Sequence, residues 1–183
     1  MSAKPVVAAA AALSALVAPP VAAAQPPGFP DLNAFSPVDP QGYLRIDNAG
    51  QPGDAAASTT RVYFSTSDGV LCRWVYVPPG IQNPIAYPAT VCSGDIPGIP
   101  DSVPDDGGPG CAQVGQAAPF SAEYAFNRHW GACPPFNAVA LDPGQKIATG
   151  SATCVAGAGS LIACIDPVHD HGFVLQPSGS WVF

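Results

Sequence analysis

At 183 residues with 48% hydrophobic side chains, the chain has material for one ordinary core, and its length asks for no second domain. Its 23 prolines and 19 glycines exclude an architecture of long helices and point to short strands joined by many turns. A formal net charge of −7, with only six Lys and Arg, lacks the electrostatic footprint that nucleic acid or an anionic membrane surface requires.

The N-terminus presents Lys4, an apolar run from Pro5 to Val17, Pro19-Pro20 and the small-residue stretch Val21-Ala22-Ala23-Ala24. This is the layout of a cleavable secretory leader over residues 1–24, with cleavage expected after Ala24. The run is shorter than the roughly 20 residues of a membrane-spanning helix, and no other stretch approaches that length. A lipid anchor needs a cysteine at the cleavage site, yet the first cysteine is Cys72, and there is no twin-arginine signal. Loss of Lys4 takes the charge from −7 to −8 and leaves Arg45, Arg61, Arg73, Arg128 and Lys146 as the fixed cations.

Residues 25–60 read as an extended arm followed by a flexible loop. Phe29, Leu32, Phe35, Val38 and Tyr43 are side chains to bury, set among Pro and Asp without a period, and Asn48 to Thr60 is small, polar and rich in Gly and Ala. From Arg61 to Phe183 the chain reads as one β-domain. Its clearest signal is Val62 to Val77, two runs of β-branched and aromatic residues around Asp68-Gly69, which predicts a hairpin. A two-residue turn there puts Phe64 opposite Arg73, Tyr63 opposite Trp74 and Val62 opposite Val75. One face then carries Val62, Phe64, Leu71, Val75 and Val77, and the other Tyr63, Ser65, Cys72, Trp74 and Tyr76. Such a hairpin must pack into a larger sheet to be stable.

Tyr87 to Ser93 follows as a strand that brings Cys92 toward Cys72, and Ile96 to Gly110 as a long Pro/Gly loop. Glu123 to Trp130 is ambiguous between strand and short helix. Phe136 to Leu141 and Lys146 to Cys154 read as strands around an Asp142-Pro143-Gly144 turn. Gly157 to Gly159 turns the chain so that Cys154 and Cys164 face one another. Phe173-Val174-Leu175 and Trp181-Val182-Phe183, separated by a Pro177-Ser178-Gly179 turn, close the chain.

Six cysteines after a secretory leader imply three disulfides. Sequence proximity favours Cys72 with Cys92, Cys111 with Cys133, and Cys154 with Cys164, among about 15 possible pairings. A thiolate zinc site would want C-x-x-C spacing, which is absent.

The order Phe64-x-Thr66-x-Asp68-Gly69-x-x-Cys72, then Cys92, Cys111, Cys133, Pro143-Gly144, Cys154, Cys164, His171-Gly172-Phe173-Val174-Leu175 and a terminal Phe183 resembles small exported actinobacterial, mycobacterial-type six-cysteine proteins of unknown function. Phe29-Pro30-Asp31-Leu32 is also similar to the start of mature mycobacterial exported proteins. Asp170 stands where that family tends to have glycine, and Gln176 where serine is more usual. The resemblance implies export and implies no activity.

Catalytic chemistry is thinly supplied. Glu123 is the sole glutamate, the aspartates sit at turns or in the Pro/Gly loop, and no G-x-S-x-G turn is present. His169 and His171, in Asp166-Pro167-Val168-His169-Asp170-His171, are the candidate metal ligands, since H-x-H on a strand places both imidazoles on one face; His129 is the third histidine that could join. The aromatics Tyr63, Trp74, Tyr76, Tyr87, Phe126 and Trp130 could form a binding platform, with Trp74, Tyr76 and Trp130 its named anchors.

These observations define an all-β or mainly β protein, a small disulfide-stapled sandwich or irregular barrel of short antiparallel strands with long Pro/Gly loops. The expected function is that of a secreted or cell-envelope, non-enzymatic binding or structural module. It would be a monomer without cofactor or membrane span, with an unknown extracellular partner and no nucleic acid. The alternative is a secreted hydrolase or metal-dependent enzyme using the C-terminal histidines. Because Cys72 shares a face with Tyr63, Trp74 and Tyr76, the hairpin reads as the spine of the core, with any binding surface in the loops around it.

Overall fold

Short connections favour pairing between segments that follow one another in the chain, and this protein takes that solution twice. The computed structural model describes residues 25–47, 59–78, 90–104, 111–118, 121–129, 131–133, 137–166 and 168–183. The first sheet is an antiparallel meander of β2 (Leu44–Asp47), β3 (Thr59–Ser65), β4 (Val70–Val75), β5 (Val91–Gly94), β6 (Cys111–Gln116) and β7 (Tyr124–His129), in that order. The second contains β1 (Ser36–Pro37), β8 (Gln145–Ala148), β9 (Thr153–Ala156), β10 (Ile162–Asp166), β11 (His171–Leu175) and β12 (Trp181–Val182); β1 runs parallel to β8 and the rest are antiparallel. Among the described residues neither sheet closes into a barrel.

The two sheets bury one shared core. Val62, Phe64, Val70, Trp74, Val114 and Tyr124 come from the first sheet, and Ile147, Ala156, Ile162, Phe173 and Leu175 from the second. These positions follow the period-two rule, by which alternate side chains of a strand share a face. The second sheet is also covered on its other face. Phe29, with Leu32 and Phe35, packs over Val155, Ala163, Ile165 and Val174, and Lys146 Nζ donates to Leu32 O at 2.8 Å. The arm thus lies on the body as its apolar residues require, and it also supplies β1 to the edge of the second sheet.

The β3–β4 hairpin forms, but with another register. Ser65 pairs with Leu71, Phe64 with Cys72, Tyr63 with Arg73 and Val62 with Trp74. Thr66 N donates to Val70 O at 2.9 Å and Gly69 N to Thr66 O at 3.2 Å, so the loop has three residues, with Gly69 left-handed at φ 82°. This is the turn-plus-bulge solution that Asp-Gly also serves. The one-residue slip regroups the faces. Val62, Phe64, Val70, Cys72 and Trp74 face the core, while Arg61, Tyr63, Ser65, Leu71, Arg73 and Val75 face away.

Other boundaries also moved. The described part of the strand expected at 87–93 is β5, and residues 87–89 lie outside the described residues. Within the stretch 136–141, the described residues make a single bridge, Ser65 to Ala140, instead of a strand. Residues 146–154 span a hairpin, because Thr149–Ala152 turns the chain between β8 and β9. Residues 124–129 are a strand, held along their full length by β6.

Candidate functional site

The three disulfides connect Cys72 to Cys92, Cys111 to Cys133, and Cys154 to Cys164, and no cysteine is free. Cys72 and Cys92 are direct partners across β4 and β5, as Cys154 and Cys164 are across β9 and β10. All four point into the shared core, one bridge per sheet. Disulfides persist in an oxidising environment, and these leave no thiol for nucleophilic or metal chemistry.

The histidine cluster is built by the β10–β11 hairpin. Asp166 and His171 are cross-strand partners, with Asp166 on the core side of β10 beside Cys164. Its carboxylate is 2% exposed and accepts from Val168 N at 2.8 Å and from His169 Nδ1. Asp170 N reaches back to Asp166 O at 3.1 Å, and Asp170 takes the left-handed φ of 57° that closes the turn. His171 Nδ1 instead donates to Phe183 O at 3.0 Å. His169 therefore belongs to the turn and His171 opens β11, so the H-x-H pair lacks the strand geometry expected of it. The His129 side chain lies outside the described parts of the structure, and among the described residues no three His, Cys, Asp or Glu side chains gather as a metal-binding group. The arrangement leaves the His169 imidazole 29% exposed, with Nδ1 fixed by a buried carboxylate and Nε2 on the far side of the ring.

Tyr124, across the core on β7, lies within the field of Asp166. Burial pushes its phenol up to about 12; the Asp166 charge adds to the rise, while a hydrogen bond with Thr90 opposes it. The ring meets Phe173 edge-on, centroids 5.3 Å apart. No family model, curated protein or solved structure matches the chain. What these side chains do has therefore to be read from their own chemistry.

The proposed aromatic platform is dispersed. Trp74 is 1% exposed, edge-on to Phe64, and its Nε1 donates to Thr149 Oγ1 at 3.0 Å, so it offers no surface to a ligand. The one-residue register slip is the reason, because it turns Trp74 inward. Tyr63 is buried on the opposite face of the sheet, and Tyr76 is half-buried with its hydroxyl accepting from Gln41 Nε2 at 3.2 Å. Phe126 packs against the core, whereas Tyr87 and Trp130 lie outside the described residues.

An open cleft of about 590 Å³ lies instead beside the β3–β4 loop. Gly69, Gly94, Asp95, Arg128 and the Cys111–Cys133 bridge line it. Gly94 makes this junction possible: a Cβ there would sit 2.1 Å from Gly69 O. Asp95 and Arg128 carry no motif that marks them in the sequence, since the sheet alone brings β5 and β7 to one end. The Asp166–His169 pair was more legible, as an Asp-Pro turn with a histidine three residues on. No helix among the described residues is long and apolar enough to cross a membrane.

Proposed function

We propose that this protein is exported and works outside the cytoplasm as a non-enzymatic binding or structural module. The observation that carries the reading is the commitment of all six cysteines to three bridges, four of those sulfurs buried in the core. Such a framework stabilises a small domain where thiols oxidise. The leader-like residues 1–24 and the resemblance to exported actinobacterial proteins support the same location. The cleft between the β3–β4 loop and the Cys111–Cys133 bridge is of a size that suits a small ligand or a short protruding segment.

Intact mass of the protein recovered from the medium of an exporting host tests the location. The expected species starts at Gln25 and gains six hydrogens on reduction; a product retained in cells with its leader and free thiols would refute export. An unbiased pull-down with the mature protein against envelope glycans and extracellular proteins tests the activity, and reproducible capture weakened by Arg128→Ala is expected.

One observation favours a second reading. The buried Asp166 carboxylate on His169 Nδ1 is the way an imidazole base is oriented, which suits a hydrolase using water. Among the described residues no hydroxyl or thiol hydrogen-bonds to His169, so this reading has no nucleophile of its own. Loss of an ester- or glycoside-cleaving activity in His169→Ala, with unchanged melting, would establish it over the binding module.

A further inference from the structure

The three bridges stand in different surroundings. Cys72, Cys92, Cys154 and Cys164 are each no more than 1% exposed and sit among the aromatic and aliphatic side chains of the shared core. Cys111 and Cys133 belong to neither hydrophobic cluster; the first is 8% exposed, the second is half-buried, and both line the open cleft of about 590 Å³. Gly69, Gly94, Ala112, Gly131 and Ala132, which line it with them, carry no side chain larger than a methyl, and a Cβ added at Gly131 would meet nothing within 4 Å. A nucleophile entering the cleft therefore reaches this bridge, whereas it reaches the other two only after the core opens.

The same bridge is the one whose strands are held without it. β6 makes three pairs with β5 and six with β7, and Cys111 N donates to Gly131 O at 2.9 Å. Opening Cys111–Cys133 leaves those ladders in place and releases the cleft wall at Gly131–Cys133. Exposed disulfides exchange with thiols where buried ones resist. We infer that Cys111–Cys133 is a thiol-exchange site, reduced by a dithiol while the rest of the fold and its two core bridges stay intact. One thiolate of the reductant attacks Cys133 Sγ, the sulfur of the more exposed cysteine, and the Cys111–Cys133 bond breaks with Cys111 leaving as a thiolate that takes a proton from solvent. The reductant's second thiolate then attacks its own sulfur in the mixed disulfide, and Cys133 leaves and is protonated in turn. The bridge has gained two electrons and two protons, and the dithiol has become a disulfide. This chemistry goes beyond the binding-module reading and does not depend on it.

The test incubates the mature protein with dithiothreitol in the absence of denaturant, quenches with N-ethylmaleimide, and reads intact mass, peptide maps and circular dichroism. The first product should carry two labels, on Cys111 and Cys133, with the dichroism of the native protein. The other four cysteines should label on the order of a hundredfold more slowly, because the core must open first. Ala132→Trp, which fills the cleft beside the bridge, should slow the first step and leave the later one unchanged. Reduced thioredoxin at the same thiol concentration separates the sources: faster labelling of the same pair assigns the site to protein dithiols, and labelling by dithiothreitol alone assigns it to small ones. Simultaneous labelling of all six cysteines, first labels on another bridge, loss of the native dichroism with the first pair, or an Ala132→Trp variant reduced as fast as the parent would each overturn the assignment.

Discussion

Gly172 holds the tightest backbone approach in the second sheet. A Cβ at this position would lie 2.1 Å from Cys164 O and 2.8 Å from Phe183 Cζ, and the first of these neighbours is backbone that cannot step aside. Gly172→Ala should therefore separate β10 from β11 and destabilise by about 1–3 kcal/mol, the usual range for overpacking, read by urea denaturation under oxidising conditions. An unchanged midpoint would mean that the hairpin has slack the geometry denies. Trp74 is the second such residue. Its indole N–H donates to Thr149 Oγ1, which also bonds Ser151, and Ser151 Oγ donates to Val75 O at 2.7 Å, so the end of β4 is tied to the turn between β8 and β9. Trp74→Phe keeps a ring in the core but leaves the buried Thr149 hydroxyl short of a donor. A loss of about 1–3 kcal/mol is expected, and Thr149→Val should cost at least as much, because Thr149 Oγ1 also serves Ser151 Oγ, Ser151 N and Ala152 N in the buried turn.

Elements were legible where local chemistry decides them, and obscure where the answer lies across the sheet. Asp68-Gly69 marked a hairpin correctly, yet the same dipeptide serves a two-residue and a three-residue loop. The choice is made by which face Trp74 and Cys72 can bury, and one sequence read alone does not state that. Cys111–Gln116 went unmarked because CAQVGQ has weak alternation; it becomes β6 through pairing with β5 and β7. The C-terminal turns were readable, since Gly144, Gly159 and Gly179 supply left-handed positions at φ 89°, 67° and 129°. The arm was readable as apolar residues in need of cover, though not as a parallel partner of β8. Its role gives an element-scale prediction. Phe29 is 8% exposed, edge-on to Phe183 at 5.6 Å, and is the arm's most buried anchor on the outer face of the second sheet. Phe29→Ala should cost about 3 kcal/mol and make residues 25–38 the first site of limited proteolysis. A variant as stable and as resistant as the parent would show that the arm adds nothing to the sandwich.

At the scale of the molecule, stability depends on keeping two meanders face to face, and one titrating group reports on that junction. Tyr124 belongs to the first sheet, but its ring meets Phe173 edge-on and its phenol lies in the field of Asp166, both in the second. With burial the largest cause, the phenol is pushed from 10.0 to about 12 in the folded protein, so the folded state holds its proton over a range where the unfolded chain has released it. The unfolded state then binds fewer protons than the native state, and stability falls as pH rises. The contribution is intact below pH 10, declines through the window from 10 to about 12, and is lost above it. A displacement of this size corresponds to a loss on the order of 2–3 kcal/mol across the window. Tyr43 is also raised, by burial and then by the Asp142 charge, and shifts the curve in the same direction. Denaturant midpoints taken rapidly between pH 9 and pH 12 should show this decline in the wild type, and a shallower one in Tyr124→Phe. If the two curves run parallel, Tyr124 ionises as freely in the native protein as in the unfolded chain, and the contact between the sheets at β7 and β11 is open to water.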